Sequence, residues 1–154
     1  MQTKIKTDAI DKKIIRLLQQ DGRLANTIIA RELGISESTV RSRLNRLINE
    51  EVIQVVAVSN PLKLGYEAVG ILKIGVDVKK IDAVTKALKE IESIWFIVHT
   101  TGKSGLYAEF VAESIESFND LLYSKIYKID GIQQAETSLI LNFIKRDYNW
   151  KAAE

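Results

Sequence analysis

Between Asn26 and Asn49 the chain reads NTIIARELGISESTVRSRLNRLIN, and this stretch restricts the fold more than any other. Ile28, Ile29 and Leu33 recur at helical spacing, Gly34-Ile35 interrupts them, and Val40, Leu44, Leu47 and Ile48 open a second helical period. Two short amphipathic helices joined by so tight a turn need a small residue where they cross and a turn residue tolerant of positive φ. Ala30 and Gly34 have those properties. Ser36 stands where the second helix begins, with a hydroxyl able to accept a free backbone amide hydrogen as an N-cap.

The second helix is predicted over Ser36 to Asn49. Steps of about 100° per residue turn Val40, Leu44 and Leu47 inward and Ser38, Ser42, Asn45, Arg46 and Asn49 to the opposite, solvated side. Thr39, Arg41 and Arg43 flank that side. Short hydroxyls and amides ringed by arginines have the chemistry of a major-groove reader, because small polar groups reach base edges and guanidinium groups bind phosphate or guanine. Ser36, Ser38, Thr39, Arg41, Ser42, Arg43, Asn45 and Arg46 are therefore the candidate DNA-contacting residues, with double-stranded DNA as the expected partner. A solvated face in an all-helical bundle has the same periodicity, so the pattern needs support from the rest of the chain.

Charge gives a little. Residues 1–60 carry 10 basic and 7 acidic side chains, a net +3, against 12 and 13 in residues 61–154, a net −1. At 46% hydrophobic and 27% charged, the 154 residues can build a real core, as one domain or two small ones. The absence of cysteine excludes disulfides and thiolate metal sites. The start, MQTKIKTDAIDKK, lacks the apolar core of a signal peptide, and no run is long enough to span a membrane. A cytoplasmic protein without membrane attachment is expected.

Asp8 to Gln20 predicts a first helix, with Ile10, Ile14, Leu17 and Leu18 on one face and Asp21-Gly22 as its stop. After Glu50-Glu51 the β-branched run VIQVVAVSNP predicts a strand leaving the helical unit, and Asn60-Pro61 with Gly65 marks a boundary. Beyond it, strands are predicted at Ala68 to Val76, Ile94 to Thr100, Leu106 to Ala112 and Glu136 to Lys145. Helices are predicted at Lys80 to Ile91 and Ile115 to Lys128, the latter with Ile115, Phe118, Leu122 and Ile126 inward. The expected fold is α+β: a winged-type helix-turn-helix domain over residues 1–60, then a ferredoxin-like βαββαβ sandwich over 61–154. The sheet face without helices is expected to expose Tyr107, Phe110 and alternate residues of Leu139 to Phe143, favouring a twofold dimer.

Five blocks in order, DAIDKKIIRLLQQDGR, ARELGISESTVRSRLNRL, EEVIQVVAVSNPLKLG, TTGKSGLYAEF and GIQQAETSLILNFIKRDYNW, cover essentially residues 8–150 and resemble the Lrp/AsnC, or feast/famine, regulators. The resemblance implies a transcription regulator that dimerises through its C-terminal domain, often assembles to tetramers or octamers, and binds paired half-sites. It also implies a small amino-acid effector held between dimers. By location, Gly102, Lys103, Ser104 and Tyr107 match the family's effector loop, and Thr137 and Ser138 on the last strand are expected neighbours. Gly105 stands where the family usually has an aspartate, which puts effector selectivity in question. Lys103 would favour a carboxylate. The alternative is a plain turn without a ligand.

Gly102-Lys103-Ser104 imitates the end of a phosphate-binding loop, but the earlier glycine position holds Ile97 and a strand follows where a helix should begin. Nucleotide hydrolysis is excluded on that ground. His99 reads as a structural histidine, Lys79-Lys80 as a solvated helix start, and Trp95, Phe96 and Trp150 as core or interface anchors. Asp77, Asp82, Glu109 and Glu113 are too scattered for a carboxylate metal site. An enzymatic rival exists in tetrapyrrole decarboxylases of similar two-domain arrangement. Those depend on histidine and arginine in the C-terminal cavity, where residues 61–154 hold only His99 and Arg146. No catalytic residue, metal or cofactor beyond a small effector is expected.

Overall fold

The computed structural model describes residues 5–102 and 105–148, so Lys103, Ser104 and Trp150 lie outside the described residues. These fall into two compact units, 5–58 with 145–148, and Ser59–Ile144.

The first unit holds three helices, α1 (Ala9–Gln20), α2 (Asn26–Leu33) and α3 (Glu37–Asn49). Asp8 starts α1 through a capping box: its Oδ1 accepts the Asp11 amide at 2.9 Å, and Asp11 Oδ2 accepts the Asp8 amide at 3.0 Å. Gly34 ends α2 in the left-handed region at φ 66°, and the Ser36 hydroxyl accepts the Thr39 amide at 3.1 Å to start α3. Ile14, Ile29, Val40 and Leu47 are fully buried with Ala30 between them, so the two helical periods meet in one core.

The β-branched run after α3 forms no strand among the described residues, and the helical unit therefore has no wing. Val52 and Ile53 pack against the helical core, whereas Val55, Val56 and Val58 are exposed. β-Branching favours extended backbone, but a strand also needs a ladder partner, and the ladders among the described residues join only β-strands that begin at Ala68 or later. A short helix, α4 (Pro61–Leu64), follows, capped by Asn60, opened by Pro61 and closed by Gly65 at φ 93°. Those three residues spell a helix start and stop.

The second unit runs β1 (Ala68–Val76), α5 (Ile81–Lys89), β2 (Ile94–His99), β3 (Leu106–Ala112), α6 (Ile115–Asp120) and β4 (Ile132–Leu139). A 3-10 turn at Val78–Lys80 leads into α5, and a π turn at Leu121–Lys125 and a 3-10 turn at Ile126–Lys128 extend α6. The sheet is antiparallel in the order β2-β3-β1-β4, the ferredoxin-like arrangement. Its covered face buries Ala68, Leu72 and Ile74 with Leu106, Ala108 and Phe110, against Val84 and Leu88 of α5 and Leu121, Leu122 and Ile126.

Three expectations are corrected. Phe110 is fully buried on the covered face and stacks on Phe118 with ring centroids 5.2 Å apart, because side chains three apart on a strand point to opposite faces. β4 begins at Ile132 and stops at Leu139, since its partner β1 supplies the ladder only from Val76 to Gly70. Ile115, at the first position after the Ser114 cap, is exposed, and Leu121 takes a core place instead.

Candidate nucleic-acid interface

Ser38, Arg41, Ser42 and Asn45 are exposed along α3, on the side away from buried Val40 and Leu47, and with Glu37 they line a shallow open concavity. Arg41 reaches back one turn to Glu37, with Nη2 2.6 Å from the carboxylate, and its side chain is 65% exposed. Thr39 is half-buried, its hydroxyl 2.7 Å from that of Ser36, so both serve the helix start.

Arg43 and Arg46 stand elsewhere. Arg43 Nη1 donates to Asp8 at 2.6 Å and to Asp11 at 2.9 Å. Arg46 donates Nη2 to Asp11 at 2.6 Å and Nη1 to Glu50 at 3.3 Å. The expectation that Arg46 turns to the solvated side and that Arg43 flanks the reading face is thus corrected: both guanidinium groups are engaged by α1. Asp11, 1% exposed, uses both oxygens on these contacts and on the Asp8 amide. Burial acts against its charge, yet the Asp8 amide and the two arginines hold its carboxyl below the ordinary value. Asp8 is held low first by the Asp11 amide and then by Arg43.

The described candidate effector residues do not share one face of the sheet. Gly102 and Gly105 take φ values of 108° and 71°, and the Gly105 carbonyl accepts the Thr100 amide at 2.8 Å, closing the β2–β3 hairpin. Glycine at position 105 fits this left-handed backbone. Tyr107 lies on the open face opposite Lys73, and burial followed by the Glu109 carboxylate pushes its phenol up. Thr137 pairs with Leu72 on the covered face, whereas Ser138 pairs with Ile71 on the open face. These neighbours therefore point to opposite sides of the sheet. His99 ends β2 exposed. Among the described residues no group of three or more histidines and carboxylates is placed to hold a metal, and no helix is long and apolar enough to cross a membrane.

Two family models match. The AsnC-type helix-turn-helix domain covers residues 8–48, and the Lrp/AsnC ligand binding domain covers residues 70–150. An HTH-type transcriptional regulator of Pyrococcus abyssi is 36% identical over 146 residues, 94% of this chain and 92% of that one. The Mycobacterium tuberculosis leucine response regulatory protein has a similar structure, with a TM-score of 0.86 at 26% identity, covering 95% of this chain and all of the other. A transcriptional regulator from Neisseria meningitidis, solved as an L-Met complex, shares the fold at a TM-score of 0.79 and 19% identity, over 94% and 96% of the two chains. A helix-turn-helix reader joined to a ferredoxin-like ligand-binding domain defines a DNA-binding transcription regulator. The chain belongs to the Lrp/AsnC family.

Proposed function

We propose that this regulator reads DNA with Ser38, Arg41, Ser42 and Asn45, responds to a small amino acid or related metabolite, and acts in the cytoplasm as a homo-oligomer without catalysing a reaction. The observation that carries the reading is the polar, exposed row on α3 directly behind the fully buried Val40 and Leu47, which offers hydroxyl, amide and guanidinium groups to a groove while the helix stays packed. Twofold assembly, which supplies paired half-sites, is supported by Phe96, Val98, Tyr107 and Ile71 on the open sheet face. Further growth to tetramers or octamers is the family's habit. An effector at the loop of Gly102, Lys103, Ser104 and Gly105, with Tyr107 and Ser138, which share the open face, is supported by the match to the ligand-binding domain. Thr137, facing the core side, is left out of that set.

Selection of bound duplexes from a random pool, followed by salt titration of the winner, tests the reading. A short palindrome whose affinity falls steeply with salt is expected. No enriched sequence, with or without an amino-acid panel present, would count against it. Calorimetry with the panel, together with oligomer size by light scattering, tests the effector: neither heat nor a change in size would leave a plain hairpin turn.

A further inference from the structure

Asp11 is the one charged residue buried to 1% among the described residues, and it sits in the helix that precedes the reader, not in the reader. A carboxylate this deep is costly unless its oxygens are satisfied. Two of its three partners are the arginines of α3 and the third is the amide of its own cap. The capping box of α1 is thereby continuous with a bridge to α3, at two points one turn apart.

We propose that Asp11, supported by Asp8, is a positioning residue for DNA reading: it fixes the rotation of α3 through Arg43 and Arg46 and withholds those two cations from the DNA. Arg46 has both terminal nitrogens committed, one to Asp11 and one to Glu50, and Arg43 places a single nitrogen between two carboxylates. Their side chains are 26% and 36% exposed, against 65% for Arg41. A helix held at two points along its length cannot roll, so Ser38, Arg41, Ser42 and Asn45 meet the groove in one orientation. Three freely mobile arginines would instead attract any phosphate backbone and raise affinity for unrelated sequences. The bridge therefore acts on discrimination between sequences more than on total affinity.

The inference rests on the DNA-reading proposal, and one experiment separates the two. Wild type, Asp11→Asn, Arg46→Gln and the double variant are titrated, as full chains, with the selected duplex and with an unrelated duplex of equal length over a salt series. Asp11→Asn is expected to cut the affinity ratio between the two duplexes by about tenfold and the double variant to lose no more, because Arg46 acts through Asp11. The salt slope on the unrelated duplex is expected to steepen by about one to two as the arginines reach phosphates. Multiplying losses in the double variant, or a loss in Arg46→Gln confined to one base pair, would make Arg46 a reader and overturn the inference. So would an unchanged ratio and slope in a folded Asp11→Asn. Should Asp11→Asn fail to fold, Asp8→Asn with Arg43→Gln decides by the same cycle: asparagine still caps α1, so only the carboxylate is lost. Wild type that binds no duplex would remove the DNA-reading proposal itself, whereas a discriminating wild type with unaffected variants removes only the positioning role.

Discussion

Gly70 lies beneath the ring of Phe110: a Cβ at Gly70 would stand 2.8 Å from the ring and 2.6 Å from the Ser138 carbonyl oxygen. The two residues face each other in register across β1 and β3, and the Phe110 ring is also stacked on Phe118. Gly70→Ala should therefore destabilise the C-terminal domain by about 1–3 kcal/mol through overpacking. Equilibrium denaturation checks this. Adding Phe110→Leu should recover only part of the loss, because the second obstacle is backbone.

Gly34 presents the opposite case. Nothing lies within 4 Å of a Cβ there, but its φ is 66°. Gly34→Ala should cost about 1–2 kcal/mol, purely for the left-handed backbone, and Gly34→Asn less. Equal thermal midpoints for both variants and wild type would contradict this account of the turn.

Arg41 is the arginine that projects along the reading face, tethered only within its own helix. Arg41→Ala is expected to weaken binding at the selected site by roughly 1–3 kcal/mol if measured at fixed salt. Glu37→Gln, which frees Arg41, should raise affinity for unrelated DNA. Fluorescence anisotropy on both duplexes measures the pair.

Acid should act on the helical domain through Asp8 and Asp11. Both carboxyl groups sit below the ordinary 3.8 in the folded chain, Asp8 through the Asp11 amide first, Asp11 through the Asp8 amide and two arginines despite burial. A depressed folded value means stability that is present above 3.8 and lost as pH falls through the folded values. Thermal melts are expected to be flat near neutrality and to fall in that acid window. The Asp8→Asn/Asp11→Asn double variant should melt lower at neutral pH, with a flatter acid limb.

Wherever burial alternates with a clear period, the elements were legible: α2, β1 and β3 have the bounds the residues predict. The failures have a common physical origin in partners that lie far away along the chain. A helical wheel orders Arg43 and Arg46 around their own axis but is blind to Asp8 and Asp11, 32 to 35 residues upstream, which capture them. The apolar LILNFIK looked more strand-like than the polar IQQAET, yet the latter pairs, because β1 lies opposite it. The same holds for the valines at 55, 56 and 58, whose composition specifies an extended chain but no neighbour. In the candidate effector region, the alternation of Thr137 and Ser138 across the sheet follows from strand parity, and only the register with Leu72 and Ile71 says which side each takes.

The slip in pairing between Ile94 and Phe96 has a consequence for handling the molecule. β2 is an edge strand of sequence IWFIVH, with Trp95 59% and Phe96 39% exposed, and it has neither lysine nor proline to blunt it. An uninterrupted edge of that composition is a template for runaway strand addition. One extra residue at Trp95 bends the edge and breaks the even row of free amides and carbonyls, so the irregularity guards the sheet against aggregation at the place where its composition invites it.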